Sequence, residues 1–352
     1  MVDDLYIFAE KQGLNESRVI DAGSGISPLG PSRKVKAAVR KAIRDIAVYP
    51  DSSLSGLRRF FSSKFGLPGE SLLFANSLYE LIYLIPAVFR PARVLVAGLP
   101  LGVYEEASAS AGANVSYIIS REDSGFLLDT GAIKQNLKGI DLLFISNPDR
   151  VTGRLTDRKD LFETLKYASA KKVLVVLDES LIEFTRDDAY YENVFPGDRI
   201  IVLRTTANFY GLPGLELAWA ASSAPLIGEL NAGKHWHINT LAVEAARTAL
   251  KDKTYRKLTR DFVDGEKRLL LKSLKKIEGI TYYESDSNML LVKLRNPDER
   301  LLTSLAVAGF FIRDGSGVKG LDRSFLRLSI MEHDKNKKLL RILRETYGKD
   351  RN

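Results

Sequence analysis

The chain has 352 residues, 45% hydrophobic and 27% charged, an ordinary globular composition with length enough for a large domain and a smaller one. It has no cysteine and three histidines (His235, His237, His333), which excludes disulfides, thiolate chemistry and cysteine metal sites and makes a histidine metal site unexpected. The net charge of +8 points towards acidic ligands, while no apolar run nears the roughly 18 residues that cross a bilayer.

Met1-Val2-Asp3-Asp4 lacks the basic and apolar pattern of a signal peptide, so a cytoplasmic protein without membrane contact is expected. Residues 1–32 read as an N-terminal arm belonging to a small domain or a dimer contact. Arg33, Lys36, Arg40 and Arg44 then alternate with Val35, Val39, Ala42 and Ile46, the pattern of a helix with a solvated basic face. Lys335, Lys337, Lys338, Arg341 and Arg344 alternate in the same way with Leu339, Leu340 and Leu343. The positive charge is thus spread over helix faces, and no nucleic acid is expected as a partner.

Leu78 to Phe89 and Leu161 to Tyr167 have a helical period. Val94–Ala97, Val115–Ile119, Leu142–Ser146, Val173–Asp178 and Ile200–Arg204 are short β-branched runs that predict buried strands. Strands apolar on both faces, alternating with helices, predict an α/β fold with a mostly parallel sheet sandwiched by helices, over residues 33–255. Ligands bind at the carboxyl ends of such strands, here Ser146-Asn147-Pro148, Asp178-Glu179 and Arg204-Thr205. His235 and His237, two apart, suit one face of a strand. From about Asp261 the character changes. Leu269, Leu270, Leu274 and Ile277 mark a long helix, followed by alternating runs Met289–Leu294, Phe310–Arg313 and Phe325–Ile330 and a last helix ending near Tyr347. Residues 256–352 read as a small C-terminal α+β domain.

Several motifs stand in a familiar order. Arg204-Thr-Thr-Ala-Asn-Phe-Tyr-Gly-Leu-Pro-Gly-Leu-Glu-Leu-Ala-Trp219 resembles the lysine motif of the class I/II aminotransferases, closest to the group containing threonine-phosphate decarboxylase and histidinol-phosphate aminotransferase. Ser27-Pro-Leu-Gly-Pro-Ser32 resembles that group's N-terminal loop, Tyr49-Pro-Asp51 its Tyr-Pro-Asp motif, and Asn147-Pro-Asp-Arg-Val-Thr-Gly153 its Asn-Pro loop. Asp178-Glu179, Trp236-His-Ile-Asn239, Ile312-Arg-Asp314 and Phe325-Leu-Arg-Leu-Ser329 are similar to later motifs of the same family. The resemblance implies the fold type I architecture of enzymes that use pyridoxal phosphate (PLP), and a dimer whose sites form across the subunit boundary.

That family's cofactor needs a lysine, a phosphate cup, a partner for the ring nitrogen and a ring over its face. By resemblance the lysine position is Asn208, which forms no imine, and no lysine lies between Lys172 and Lys234. The arginine that pairs with the phosphate is replaced by Glu216, a sign reversal worth about 4 kcal/mol per charge pair at ~4 Å and an effective dielectric near 20. Thr205 keeps a hydroxyl in the cup, Ser77 replaces its glycine, with Leu78 and Tyr79 following, and Gly102 stands where a stacking aromatic belongs, with Tyr104 as a substitute. Leu181 replaces a tyrosine. Asp178, at the ring-nitrogen position, and Asn147, at the ring-hydroxyl position, are retained; Asp178 reads equally well as a strand-end cap. The expectation is no cofactor, with any PLP held weakly and without a covalent bond.

The substrate side is kept. Arg327 matches the arginine that grips a carboxylate, Arg313 the one that meets a phosphate, and Asn288 and Tyr49 are also present. The alternative is that both arginines pair with Asp314 or Glu179 and hold the small domain. Three functions remain open. The first is a degenerate homologue that binds a small phosphate- or carboxylate-bearing anion, or acts as a regulatory partner in a homodimer or in a heterodimer with an active paralogue. The second is an enzyme of altered chemistry on a phosphorylated amino acid, with His235 and His237 as proton carriers. The third is an ordinary aminotransferase or decarboxylase served by another lysine such as Lys234.

Overall fold

The computed structural model describes residues 5–186, 198–296 and 299–347. The arm supplies a two-residue strand, β1 (Ile20–Asp21). Seven strands then build the central sheet: β2 (Leu72–Ala75), β3 (Arg93–Gly98), β4 (Asn114–Ile119), β5 (Leu142–Ser146), β6 (Leu174–Asp178), β7 (Ile200–Thr205) and β8 (Ala218–Ala221). Their order across the sheet is β2-β8-β7-β6-β5-β3-β4. β3 to β7 run parallel to one another, and β8 runs antiparallel to both of its neighbours.

The apolar runs explain this burial. Successive residues of a strand face opposite sides, and both sides are packed. Leu72, Phe74, Leu95, Leu143, Val175 and Val202 enter one core, while Leu73, Val94, Phe144, Val176 and Ile201 enter the other. β4 departs from the expectation of a buried strand. It is the last strand of the sheet, and its alternate residues Asn114, Ser116 and their neighbours are exposed or half-buried.

Beyond the long helix Lys253–Leu274 lie β9 (Ile280–Tyr282), β10 (Met289–Leu294), β11 (Phe310–Phe311), β12 (Arg313–Asp314) and β13 (Phe325–Ser329). A four-stranded antiparallel sheet has the order β12-β13-β10-β9. The run Phe310–Arg313, expected as one strand, is two. β11 pairs in parallel with β1 of the arm, and β12 turns to pair with β13. In the long helix Thr259, Val263, Glu266, Leu270 and Leu274 are buried at helical spacing, whereas Leu269, one of the residues that marked the helix, lies off that stripe and is half exposed.

The arm is tied across this junction. Ser329 N–H donates to the Ala22 carbonyl at 2.7 Å, and the ring of Phe8 lies 5.2 Å from that of Phe311. No helix among the described residues is long and apolar enough to cross a membrane, and no group of three or more His, Asp or Glu among them is placed to hold a metal ion.

Candidate active site

The carboxyl ends of β2, β5, β6 and β7 and the entry to β8 meet on one edge of the sheet, because β8 alone is reversed. That edge carries Ser77, Asn147, Asp178, Thr205, Asn208 and Glu216.

Asp178, at the end of β6, is buried. Its Oδ1 accepts the Ser180 N–H at 2.8 Å, and its Oδ2 accepts the Tyr104 hydroxyl at 2.6 Å, with Arg150 Nη1 at 3.5 Å. Burial and the neighbouring Asp178 hold the Tyr104 hydroxyl far above its ordinary pKa, so it stays protonated and donates. Its ring stacks on Phe144, centroids 5.1 Å apart, inside the core. Tyr104 is therefore no substitute for a stacking ring over the cleft. It belongs to the sheet's packing and spends its hydroxyl on Asp178.

The loop after β5 is wound around Asp149. The Asp149 Oδ1 accepts the Val151 and Thr152 N–H groups at 3.0 and 2.8 Å, and its Oδ2 accepts the Leu99 N–H at 3.2 Å. Burial raises the Asp149 pKa against these donors. Asn147 Oδ1 accepts the Thr156 N–H at 2.8 Å, closing the same loop. So anchored, the loop sends Arg150 to Asp178. Burial opposes the Arg150 charge, but Asp178 and Tyr104 more than offset it and raise its pKa.

Ser77 caps the helix Leu78–Phe89, its Oγ accepting the Glu80 N–H at 3.1 Å, while Glu80 accepts the Asn76 N–H at 2.8 Å. The next N–H, that of Leu78, donates to Glu216 Oε1 at 2.9 Å. The Thr205 hydroxyl donates to the same oxygen at 2.5 Å and itself accepts the Ala207 N–H at 3.0 Å. Burial raises the Glu216 pKa, and the bonds from Thr205 and Leu78 and the charge of Arg150 oppose that rise.

Asn208 turns to the arm. Its Nδ2 donates to the Ser24 and Gly25 carbonyls, each at 3.2 Å. Asn288, expected to meet a ligand, donates through Nδ2 to the same Gly25 carbonyl at 2.8 Å. Gly25 sits at φ +70°, and a Cβ there would lie 2.8 Å from Met289 Sδ, so the two asparagines close on a turn that glycine suits.

Arg313 and Arg327 lie directly opposite each other on β12 and β13. Arg327 is 8% exposed, its Nη2 lies 3.5 Å from the Arg150 carbonyl, and its Nε has no hydrogen-bond partner among the described residues. Burial, then the charges of Arg313 and Arg150, lower its pKa to about 10. The two arginines line a cavity of about 270 Å³ with Tyr79, Gly102, Glu106 and Ser316. Tyr49 is 94% exposed and lies outside this cavity in its own chain. His235 and His237 are exposed in a segment without regular structure, not on a strand, because the chain there runs from the helix Ala224–Ala232 to the helix Thr240–Lys251. Lys234 is half-buried, and burial, then the charge of Arg58, lowers its pKa against the pull of Glu80. Leu181 is buried in the core. Sequence reasoning missed Arg150 and the bond from Tyr104 to Asp178. The only signal for Arg150 was a charge inside the Asn147–Gly153 loop.

A family model described as aminotransferase class I and II matches residues 17–343. A histidinol-phosphate aminotransferase of Archaeoglobus fulgidus is 29% identical over 333 residues, covering 94% of each chain. The threonine-phosphate decarboxylase of Salmonella typhimurium is 26% identical over 335 residues, covering 94% of this chain and 92% of its own. The structure of histidinol-phosphate aminotransferase from Sinorhizobium meliloti in complex with pyridoxal-5'-phosphate superposes with a TM-score of 0.88 at 19% identity, covering 98% of this chain and 96% of that one.

These matches correct the expectation of no cofactor. PLP is the group that this family carries, and the neighbour of the same fold binds it. Asp178 and Thr205 are residue types that suit that group, a carboxylate and a hydroxyl. The arrangement as a whole does not fit it in the lysine-bound pose: Glu216 takes the Leu78 and Thr205 donors, Asp178 is engaged by Tyr104, and Asn208 offers an amide.

Proposed function

Because the chain belongs to the aminotransferase class I and II family, we propose that it binds a small acid bearing both a carboxylate and a phosphate, without Schiff-base chemistry at residue 208. The observation that carries this reading is Arg327, a buried guanidinium set directly opposite Arg313 on the paired strand. The charges of Arg313 and Arg150 act against it, and that of the Asp149 carboxylate acts for it. Burying like charges together is unfavourable. A dianion in the adjoining cavity relieves that cost, and a planar guanidinium fork suits a carboxylate in two-point contact. A phosphorylated amino acid has the required groups, and threonine phosphate is the substrate named for the Salmonella relative. Thermal melts with O-phospho-L-threonine and with inorganic phosphate test the reading. Stabilisation of the wild type that Arg313→Met abolishes supports it; identical stabilisation of both proteins sinks it.

A second reading, a PLP-dependent aminotransferase or decarboxylase of altered chemistry, is favoured by the buried carboxylate of Asp178 at the end of β6. A yellow chromophore that copurifies with the protein supports that reading, and a colourless protein that stays colourless with added PLP argues against it.

The assembly proposed is a homodimer, with pairing to a lysine-bearing paralogue as the alternative. Ile43, Ile46, Val48 and Tyr49 form an exposed apolar run in one segment, the kind of surface that a partner covers. Light scattering of the purified protein at the mass of two chains supports the homodimer, and a monomer at micromolar concentration contradicts it.

A further inference from the structure

At the head of the helix Leu78–Phe89, two donors converge on one oxygen. The Leu78 N–H and the Thr205 hydroxyl both reach Glu216 Oε1, at 2.9 and 2.5 Å. Paired donors at a helix N-terminus make an anion cradle, and the anion in this one is part of the chain. The carboxylate at the end of the neighbouring strand β6 is also engaged. Asp178 Oδ2 accepts from Tyr104 at 2.6 Å and meets Arg150 Nη1 at 3.5 Å. The charge of Arg150 also favours the ionised form of Glu216, after the bonds from Thr205 and Leu78.

We propose that Glu216, held by Leu78 and Thr205, is a built-in occupant of the anion cradle, so that a phosphate group enters only where this side chain turns out or is replaced. A carboxylate and a phosphate need the same donors and repel each other, so the two occupants are exclusive. This explains why a chain of this family keeps Thr205 and a capped helix head while it lacks a cationic phosphate partner at residue 216. The cradle keeps its donors, and its acid now comes from within. The proposal does not depend on the arginine pair across the cleft, and its test separates the two.

The experiment titrates wild type, Glu216→Ala and Glu216→Arg with PLP, with inorganic phosphate and with pyridoxal, which lacks the phosphate, followed by tryptophan fluorescence. Circular dichroism and thermal melts accompany each variant, and Glu216→Ala, which removes the occupant, carries the test if Glu216→Arg does not fold. Both variants are expected to bind PLP and phosphate about tenfold or more tightly than wild type, with no gain for pyridoxal. The gain is expected to survive Arg327→Met, which places it at the cradle, and to disappear with Thr205→Val. Unchanged affinity, no binding by any folded variant, an equal gain for pyridoxal, or loss of the gain in Arg327→Met overturns the proposal.

Discussion

Arg313 on β12 and Arg327 on β13 are register partners across two antiparallel strands, so two guanidinium-bearing side chains start from the same face of the small sheet. Like charges set directly opposite each other destabilise a sheet. On the proposed reading, a bound anion relieves this repulsion between the two strands.

Arg327→Met is accordingly expected to leave the ligand-free fold as stable as wild type or more stable by about 1 kcal/mol or more, as replacing buried ionic groups with apolar ones often does. Chemical denaturation of both proteins without ligand is the measurement. A loss of several kcal/mol instead shows that Arg327 is a structural ion-pair partner.

The same residue gives a pH signature. The Arg327 pKa falls to about 10 through burial and the charges of Arg313 and Arg150. A cation whose folded pKa is depressed loses its proton in the folded state first. Stability then rises with pH above about 10, because the unfolded chain binds more protons there. Anion affinity moves the other way, falling as pH passes 10. The difference between wild type and Arg327→Met in both quantities isolates this group from the tyrosines and lysines that titrate nearby, and parallel pH profiles for the two proteins contradict the assignment.

Glu183 ties the sheet to the long helix. Its Oε1 meets Arg204 Nη2 at 3.0 Å, Arg256 Nη2 at 3.2 Å and the Tyr210 hydroxyl at 2.9 Å, and its carbonyl accepts Arg260 Nε at 2.7 Å. Arg204 and Glu183 are both nearly inaccessible. Removing one member of such a group strands buried charge, so Glu183→Ala is expected to cost about 3–5 kcal/mol. Urea denaturation measures it, and a cost below 1 kcal/mol shows that the network is not needed.

Asn208 is expected to be a structural residue of the arm. Asn208→Ala removes both bonds to the Ser24 and Gly25 carbonyls, at about 1–2 kcal/mol in all. Hydrogen exchange of the segment 20–30 checks this, with faster exchange in the variant as the expected result. Unchanged exchange shows that Asn288, which shares the Gly25 carbonyl, suffices.

The layers of the fold were legible where one residue type dominates a face. Val175, Leu177, Ile200 and Val202 announce β6 and β7 because a strand buried on both sides leaves no polar position. β8 was not announced. Ala218, Ala220 and Ala221 have little strand preference, and their place comes from pairing with β2 and β7. The split of Phe310–Arg313 likewise depends on the arm, which lies hundreds of residues away in sequence. In the site, the change of sign at residue 216 was visible in the sequence. That the carboxylate bonds to Leu78 and Thr205 was not, because a side chain's donors are set by strands distant in the chain. Arg150 was overlooked for the same reason: its direction follows from the turn around Asp149, not from its neighbours in sequence.

The most direct test of the central claim is calorimetric titration of wild type and Arg327→Met with O-phospho-L-threonine at neutral pH and low salt. Saturable binding by wild type, weakened at least about tenfold in the variant, is the result predicted for a buried guanidinium that receives a carboxylate. Equal affinities in the two proteins, or no binding by wild type to this or any other phosphorylated amino acid, contradicts the account.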